Sequence, residues 1–387
     1  MVSCLELYRI SERLCKICNN PDIAFGGMNM IFAGDFAQLP PVGGESVSLY
    51  THRAGIDSKT LNGQRMAIGK SLWHMITVVV ILRKNMRNQG EDKQDIQFRK
   101  ALENMRYKAC TKDDIKCLNA LVSANKPNRH YIACEPWRSA PIIIGENKQR
   151  DEINRLGAMR FAMDTKQKLT AFYSEDTICS AAGTKTDSKP TNRTKKSKVN
   201  TMNQDLQNIL WDLPASTHEF HSPSMLPLCK GMPVIIRHNF ATEMNITKGQ
   251  RGFVFSWQSK RSTADKDHIE VLFVLLHNPP SPVQIEGLPL NVVPIVSRES
   301  KGYITLPDDT KIYVSRKQVD VLLGFAMTAY ASQGQSLSPN ATDLNTLNDH
   351  HAFYTALSRS RSYEKTIILQ GFNHTCITGG ASGALRK

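Results

Sequence analysis

No stretch of the sequence reaches the ~18 consecutive apolar residues that a membrane-spanning helix needs. The longest apolar runs resemble "VVVIL" at 78–82, which suits a buried strand. The amino terminus, "MVSCLELYRISERL", carries Glu6 inside its apolar stripe and therefore does not read as a signal peptide. Regular cysteine spacing is missing as well. The nine cysteines are odd in number and scattered, which predicts reduced thiols in a soluble, intracellular protein. Cys15-Lys-Ile-Cys18 has no second CxxC and no histidine pair to complete four ligands, and it falls in a helical pattern with Leu7, Ile10, Leu14 and Ile17. Two helix cysteines are the better reading, and no metal site is expected.

Acid is the charge in short supply. Against 49 Lys+Arg stand 35 Asp+Glu, for a net charge of +14. Such a balance favours polyanionic partners, because each phosphate neutralised by a basic side chain releases condensed counterions. Charge alone leaves open a basic protein with no such partner. A hydrophobic content of 41% and a charged content of 22% are those of a soluble globular chain, and 387 residues suffice for two or three domains.

The pattern along the chain predicts an amphipathic helix over 3–18, a strand over 29–33, a helix around 64–75 and a buried strand over 76–82. Two helical pieces follow between 92 and 122, the second opened by a capping box of Thr111 and Asp114. "APIIIG" at 140–145 reads as a strand and "ENKQRDEINRL" as the helix after it. Buried strands alternating with helices predict an α/β domain with a largely parallel sheet. "GTKTDSKPTNRTKKSK" at 183–198 is polar and basic, a loop or linker by composition. Its basic run would serve nuclear import or nucleic-acid contact, or simply be solvated. From 226 to about 316, short strand-like segments ("MPVIIRH", "RGFVFSW", "HIEVLFVLL", "VVPIV", "KIYV") predict a small β-barrel or sandwich. The α/β texture returns with "VDVLLGFAMTAYASQGQSL" at 319–337 and a last strand "KTIIL" at 365–369, so the β module reads as an insertion.

Polar groups gather at strand ends, where open parallel sheets bind ligands. Gly34-Asp35 follows strand 29–33, "TAYASQGQS" follows strand 319–327, and "ALSRSRS" closes a short helix before the final strand. Their order resembles that of the Pif-type helicases, the RecD-like branch of superfamily one. "GDFAQLPPV" (34–42) is similar to their third motif and "LRKNMRNQ" (82–89) to the fourth. "GMPVIIRHNF" with "KGQRGFV" (231–254) is similar to the start of an SH3-like insertion, "MTAYASQGQSL" (327–337) to the fifth motif and "YTALSRSRS" (354–362) to the sixth.

That resemblance implies an ATP-dependent, 5′-to-3′ DNA helicase of RecA-like α/β lobes, the first partial and the second complete, with an inserted SH3-like barrel. The implied partition is 1–82 for the first lobe, 83–172 and 318–387 for the second, 173–224 as linker and 225–317 as the barrel. Gln38 would be the γ-phosphate sensor, and Gly34 and Asp35 would sit at the nucleotide, with Asp35 orienting water and the Mg2+ shell. Arg87 and Arg359 would be arginine fingers from the other lobe. Ser332, Gln333, Gly334 and Gln335 would touch nucleotide and DNA backbone. Tyr330, standing where the family usually has His, would stack on a base. Asn239 and Lys248 would contact DNA, with Lys248 replacing the usual Asn. ATP and Mg2+ are the implied cofactors. Single-stranded DNA and forks are the implied partners, for a monomer in the nucleus with the mitochondrion as alternative.

Two parts of that machinery are missing from the sequence. No GxxxxGK[ST] phosphate loop occurs. In "GQRMAIGKSLW" five residues, not four, separate Gly63 from Gly69, and the stretch reads as helix. The acidic pair that would hold magnesium is not found either, since Asp151-Glu152 lies within a helical pattern. The resemblance therefore implies a chain truncated before Met1, inactive as an ATPase by itself. The alternative is a nucleic-acid-binding remnant.

Overall fold

The computed structural model describes residues 2–51, 59–82, 84–123, 132–179, 202–244, 246–261 and 265–381. They form two compact units, one of residues 1–145 with 332–387 and one of residues 146–331. In chain order the first unit opens with α1 (Cys4–Ile17), α2 (Leu61–His74), α3 (Lys93–Arg106), α4 (Lys112–Asn119) and β1 (Ile142–Ile144). The second holds α5 (Asn147–Asp164), β2 (Thr170–Tyr173), β3 (Glu175–Ile178), α6 (Gln204–Asp212), β4 (Met225–Leu228) and β5 (Pro233–Ile236). It continues with β6 (Arg251–Arg261), β7 (Asp267–Leu276), β8 (Val292–Val296), β9 (Arg298–Thr305), β10 (Lys311–Gln318), β11 (Val321–Leu323) and β12 (Ala326–Thr328). The chain then returns to the first unit with β13 (Asn340–Thr342), α7 (His350–Leu357) and β14 (Thr366–Ile368).

In the first unit, Ser3 and Glu6 close a capping box on α1. Cys4 and Leu7 are fully buried with Phe25, Leu49 and Leu72 in a small core, against which Phe32, Phe36 and Trp73 lean. The predicted apolar stripe is used at Leu7 and in part at Leu14, whereas Ile17 is 79% exposed. α2 contains the whole of the "GQRMAIGKS" stretch, and its Gly69 serves packing. A Cβ on Gly69 would fall 1.9 Å from the Cys4 carbonyl oxygen. Thr111 and Asp114 form the expected capping box at α4. β1, β13 and β14 pair in parallel in that order, giving the α/β sheet that the pattern predicts.

Two expected strands do not form. Residues 29–33 run without a strand ladder, with Met30 and Phe32 against the small core and Ile31 95% exposed. Residues 76–82 are likewise not a strand, and Val78 to Leu82 are 70–90% exposed. The reason is that a strand is a pairing and not a property of one segment. Among the described residues, nothing supplies these runs with a ladder partner or covers both their faces.

The second unit is built on a five-stranded antiparallel sheet ordered β11-β5-β6-β7-β8, so the segments expected as strands here are strands. Its inner face buries Val234, Ile236, Val254, Leu272, Val274 and Ile295, with Ala158 and Ala162 of α5 in the same core. Gly157 permits this approach, since a Cβ there would lie 2.5 Å from the Phe325 ring. A second sheet, β3-β10-β9, is pinned by a fully buried pair in which Arg316 donates twice to Asp176, each bond 2.8 Å. Arg316 also donates to the Ser222 carbonyl and Gln207 to Asp176, so the buried charges are hydrogen-bonded as burial requires. The basic segment 183–198 lies outside the described residues.

Candidate functional site

α7 is the element around which the site is assembled. Asp349 caps it, its carboxylate accepting the Ala352 N–H at 2.7 Å, and every residue from His350 to Leu357 is buried. Three distant segments are fastened to this helix or to the residues just after it. The 34–41 loop is held where Leu39 N–H donates to Thr355 Oγ1 (3.1 Å) and where His351 Nδ1 meets the Ala37 carbonyl (3.0 Å). The 332–337 segment is held where Leu337 N–H donates to the Arg359 carbonyl at 2.9 Å. The 85–88 segment is held through Arg87.

The loop itself is a tight turn. Ala37 N–H donates to Asp35 Oδ1 (3.0 Å) and Gln38 N–H to the Asp35 carbonyl (3.1 Å). Pro40 and Pro41 are buried and fix φ, so the turn keeps its shape. Gln38 is half-buried, its amide nitrogen 3.5 Å from Asp35 Oδ2.

Arg359 is 1% exposed. Its guanidinium donates to the Thr355 carbonyl (2.8 Å), to Ser358 Oγ (2.8 Å) and, at 3.5 Å, to the Gln335 carbonyl. Arg87 donates to Ser336 Oγ (2.8 Å) and to the Ser358 carbonyl (2.7 Å). Both therefore bond to neutral oxygens only, and among the described residues no carboxylate forms an ion pair with either. Burial, and next the Arg87 charge, push Arg359 down to about 10. Burial lowers Arg87 too, opposed by Tyr354, with Arg361 adding to the lowering. The Arg87 charge thus works against that of Arg359, Tyr354 and Asp35 partly support it, and neither guanidinium is in an ion pair among the described residues, an arrangement suited to meeting an anion.

Arg106 shows the contrast. Burial works against its charge, but Tyr354 and Asp35 outweigh it and raise its pKa. It forms an ion pair with Asp35 at 3.0 Å. Sequence reasoning missed Arg106, Tyr354 and His351. Tyr354 lies inside the quoted "YTALSRSRS", where only the arginine was assigned, and His351 lies just before it. Arg106, the last residue of α3, carries no sequence signal at all.

Gln38, Arg87 and Arg359 thus all belong to the first unit, together with Gly34, Asp35, Ser332, Gln333, Gly334 and Gln335. Ser332 is fully buried, whereas Gly334 is exposed with φ +79°, the left-handed region that favours glycine. Tyr330 (51% exposed), Asn239 and Lys248 belong to the second unit. There Asn239 Oδ1 accepts the Lys248 N–H at 2.8 Å, and both side chains are exposed.

The family model described as PIF1-like helicase matches residues 2–114. The ATP-dependent DNA helicase PIF6 of Trypanosoma brucei brucei is 24% identical over 378 residues, covering 96% of this chain and 40% of that protein. The chain therefore spans well under half the length of this relative. Uncharacterized protein 030L of Invertebrate iridescent virus 6 is 20% identical over 393 residues, covering 92% of this chain and 68% of that protein. Among solved structures, the Pif1 helicase from Candida albicans superposes with a TM-score of 0.62 at 21% identity, over 100% of this chain and 74% of that one. The Pif1 helicase from Bacteroides in complex with ADP-AlF3 and ssDNA gives 0.60 at 18% identity, over 98% and 70%. At these identities the solved structures speak to the fold.

Proposed function

We propose that this chain, which is similar to Pif1-type helicases, is one of them and carries the sensor and arginine side of an ATP-dependent 5′-to-3′ DNA helicase. The observation that carries this reading is the pair of partly buried Arg87 and buried Arg359, whose hydrogen bonds among the described residues all go to neutral oxygens. The γ-phosphoryl oxygens of a nucleoside triphosphate fit that pair, because a planar guanidinium meets phosphate oxygens two at a time. Gln38 would present its amide to the same phosphate or to the attacking water. Guanidiniums in this role accelerate phosphoryl transfer by ~10³–10⁵.

The residues present fit a phosphate better than they fit magnesium. Among the described residues no cluster of His, Cys, Asp or Glu could hold a metal ion. No step is therefore assigned to Mg2+ on this chain. The five-stranded sheet of the second unit is read as an SH3-like insertion between parts of a RecA-like lobe. Tyr330, Ser332, Gln333, Asn239 and Lys248 are read as contacts for single-stranded DNA and forks. A monomer in the nucleus, serving DNA repair, recombination or telomere maintenance, is the setting this reading implies.

A second reading is favoured for the polypeptide by itself, because its sequence holds no GxxxxGK[ST] loop and the nearest stretch is helix α2. It would bind single-stranded DNA without turning over ATP, since the guanidiniums then have no cradled phosphate to act on. Purified full chain is expected to bind an oligonucleotide with an affinity that falls steeply as salt rises. It is expected to show no DNA-stimulated phosphate release. Turnover that is abolished by Arg359→Ala would overturn the silent reading and leave the helicase reading standing.

A further inference from the structure

We infer that Asp35, Arg106 and Tyr354 form a clamp that positions the sensor loop, with Asp35 as its anchor and not as a ligand for metal or water. The inference rests on the phosphate-site reading above and changes the role that the family resemblance gives Asp35.

A carboxylate offers about four lone-pair sites. On Asp35, Oδ1 accepts the Ala37 N–H and Arg106 Nη2, each at 3.0 Å. Oδ2 accepts Arg106 Nη1 and the Tyr354 hydroxyl, each at 3.1 Å, with Gln38 Nε2 at 3.5 Å. The chain's own donors therefore use up the acceptor capacity, and the Asp35 side chain is only 17% exposed. Arg106 Nη1 also reaches the Tyr354 oxygen at 3.1 Å, and its guanidinium lies over the Tyr354 ring, 5.5 Å from the centroid. The three groups make a closed triangle.

What the triangle joins gives it a consequence. Arg106 ends α3, Tyr354 lies in α7 and Asp35 begins the loop that carries Gln38. Arg106 and Asp35 are 71 residues apart in sequence and Arg106 and Tyr354 are 248 apart. The bidentate Arg106 contact fixes the Asp35 carboxylate, the carboxylate fixes the Ala37 N–H, and that turn sets where Gln38 points. Arg87 and Arg359 are bonded to main-chain carbonyls that follow Tyr354 in the chain, those of Ser358 and Thr355. Loosening the triangle should thus displace the amide from the two guanidiniums while leaving the guanidiniums themselves in place.

The test is pyrophosphate binding to the full chain, by calorimetry without divalent cations, for wild type, Asp35→Asn, Arg106→Gln, Arg106→Lys, Tyr354→Phe and the Asp35→Asn/Arg106→Gln double variant. The clamp predicts that Asp35→Asn weakens binding roughly tenfold even though it removes a negative charge near an anion site. It predicts that the double variant, whose net charge equals that of wild type, stays as weak as either single variant. Arg106→Lys should recover part of the loss, and Tyr354→Phe should lose less than Arg106→Gln. Tighter binding by Asp35→Asn, restoration in the double variant, or an Asp35→Asn effect seen only with Mg2+ would each overturn the clamp. Amide exchange at Ala37, Gln38 and Leu39 is read in parallel, where Arg106→Gln should accelerate exchange locally, and unchanged exchange there also overturns it. If wild type binds no pyrophosphate while exchange still accelerates, the phosphate-site reading fails and the clamp survives.

Discussion

His350 and His218 show what burial does to single titratable groups here. Each is pushed down from the ordinary 6.5 to about 4, by burial first and then by the electrostatic effect of a neighbour, the His351 ring for the one and the Arg316 guanidinium for the other. A folded pKa below the unfolded value means that the unfolded chain binds more protons between the two. Stability from these groups is therefore complete above pH 6.5 and is lost as pH falls through 6.5 towards 4. Denaturant midpoints should be flat above pH 6.5 and decline below it, and His350→Gln should make the decline shallower. A midpoint that rises on acidification over this window would contradict the burial of both rings. Asp35, Gln38, Arg87 and Arg359 could all be picked from the sequence by type and motif. The partners that give them their states could not. Arg106, 71 residues from Asp35, is legible only once α3 and α7 are packed together.

Helices with local stop and start signals were readable, because capping is decided within four residues. Thr111 with Asp114 forms both reciprocal bonds as expected, and Ser3 with Glu6, not singled out from the sequence, does the same. Gly69 shows where an element-scale feature needs a neighbour to be understood. In the sequence it imitates a phosphate-loop glycine, and in the fold it lets α2 cross α1. Gly69→Ala, benign for helix propensity, places a Cβ 1.9 Å from the Cys4 carbonyl. It should destabilise the first unit by about 1–3 kcal/mol through forced separation of the helices. A denaturation midpoint equal to wild type would show that the two helices are not in this contact. The failed strands, 29–33 and 76–82, belong to this scale too. Their composition is that of central parallel strands, but strand formation requires partners that composition cannot certify.

For the whole molecule, the consequence of those unpaired runs is exposed apolar surface on a chain whose net charge is +14. Val78 to Leu82, each at least 70% exposed, form a contiguous patch of β-prone residues, the kind that associates edge to edge. Replacing Val79 and Ile81 with Lys should lower self-association, seen as a smaller apparent mass in concentrated solution by light scattering. The melting temperature should not fall, because neither side chain is buried. A lowered melting temperature would mean that the run is packed after all.

The sequence alone determined the helices with local caps, the strands of the antiparallel module, the basic character of the chain, the order of the motifs and the lack of a GxxxxGK[ST] stretch within it. These depend on residue type and on spacings of a few positions. Only the tertiary structure decided which motifs share a unit, that Arg359 is buried and Arg87 partly buried with neutral-oxygen partners among the described residues, and that the carboxylate of Asp35 is held by Arg106 and Tyr354. Those facts arise from contacts between segments up to 319 residues apart, and the energy of a buried charge depends on what surrounds it, not on its neighbours in the chain.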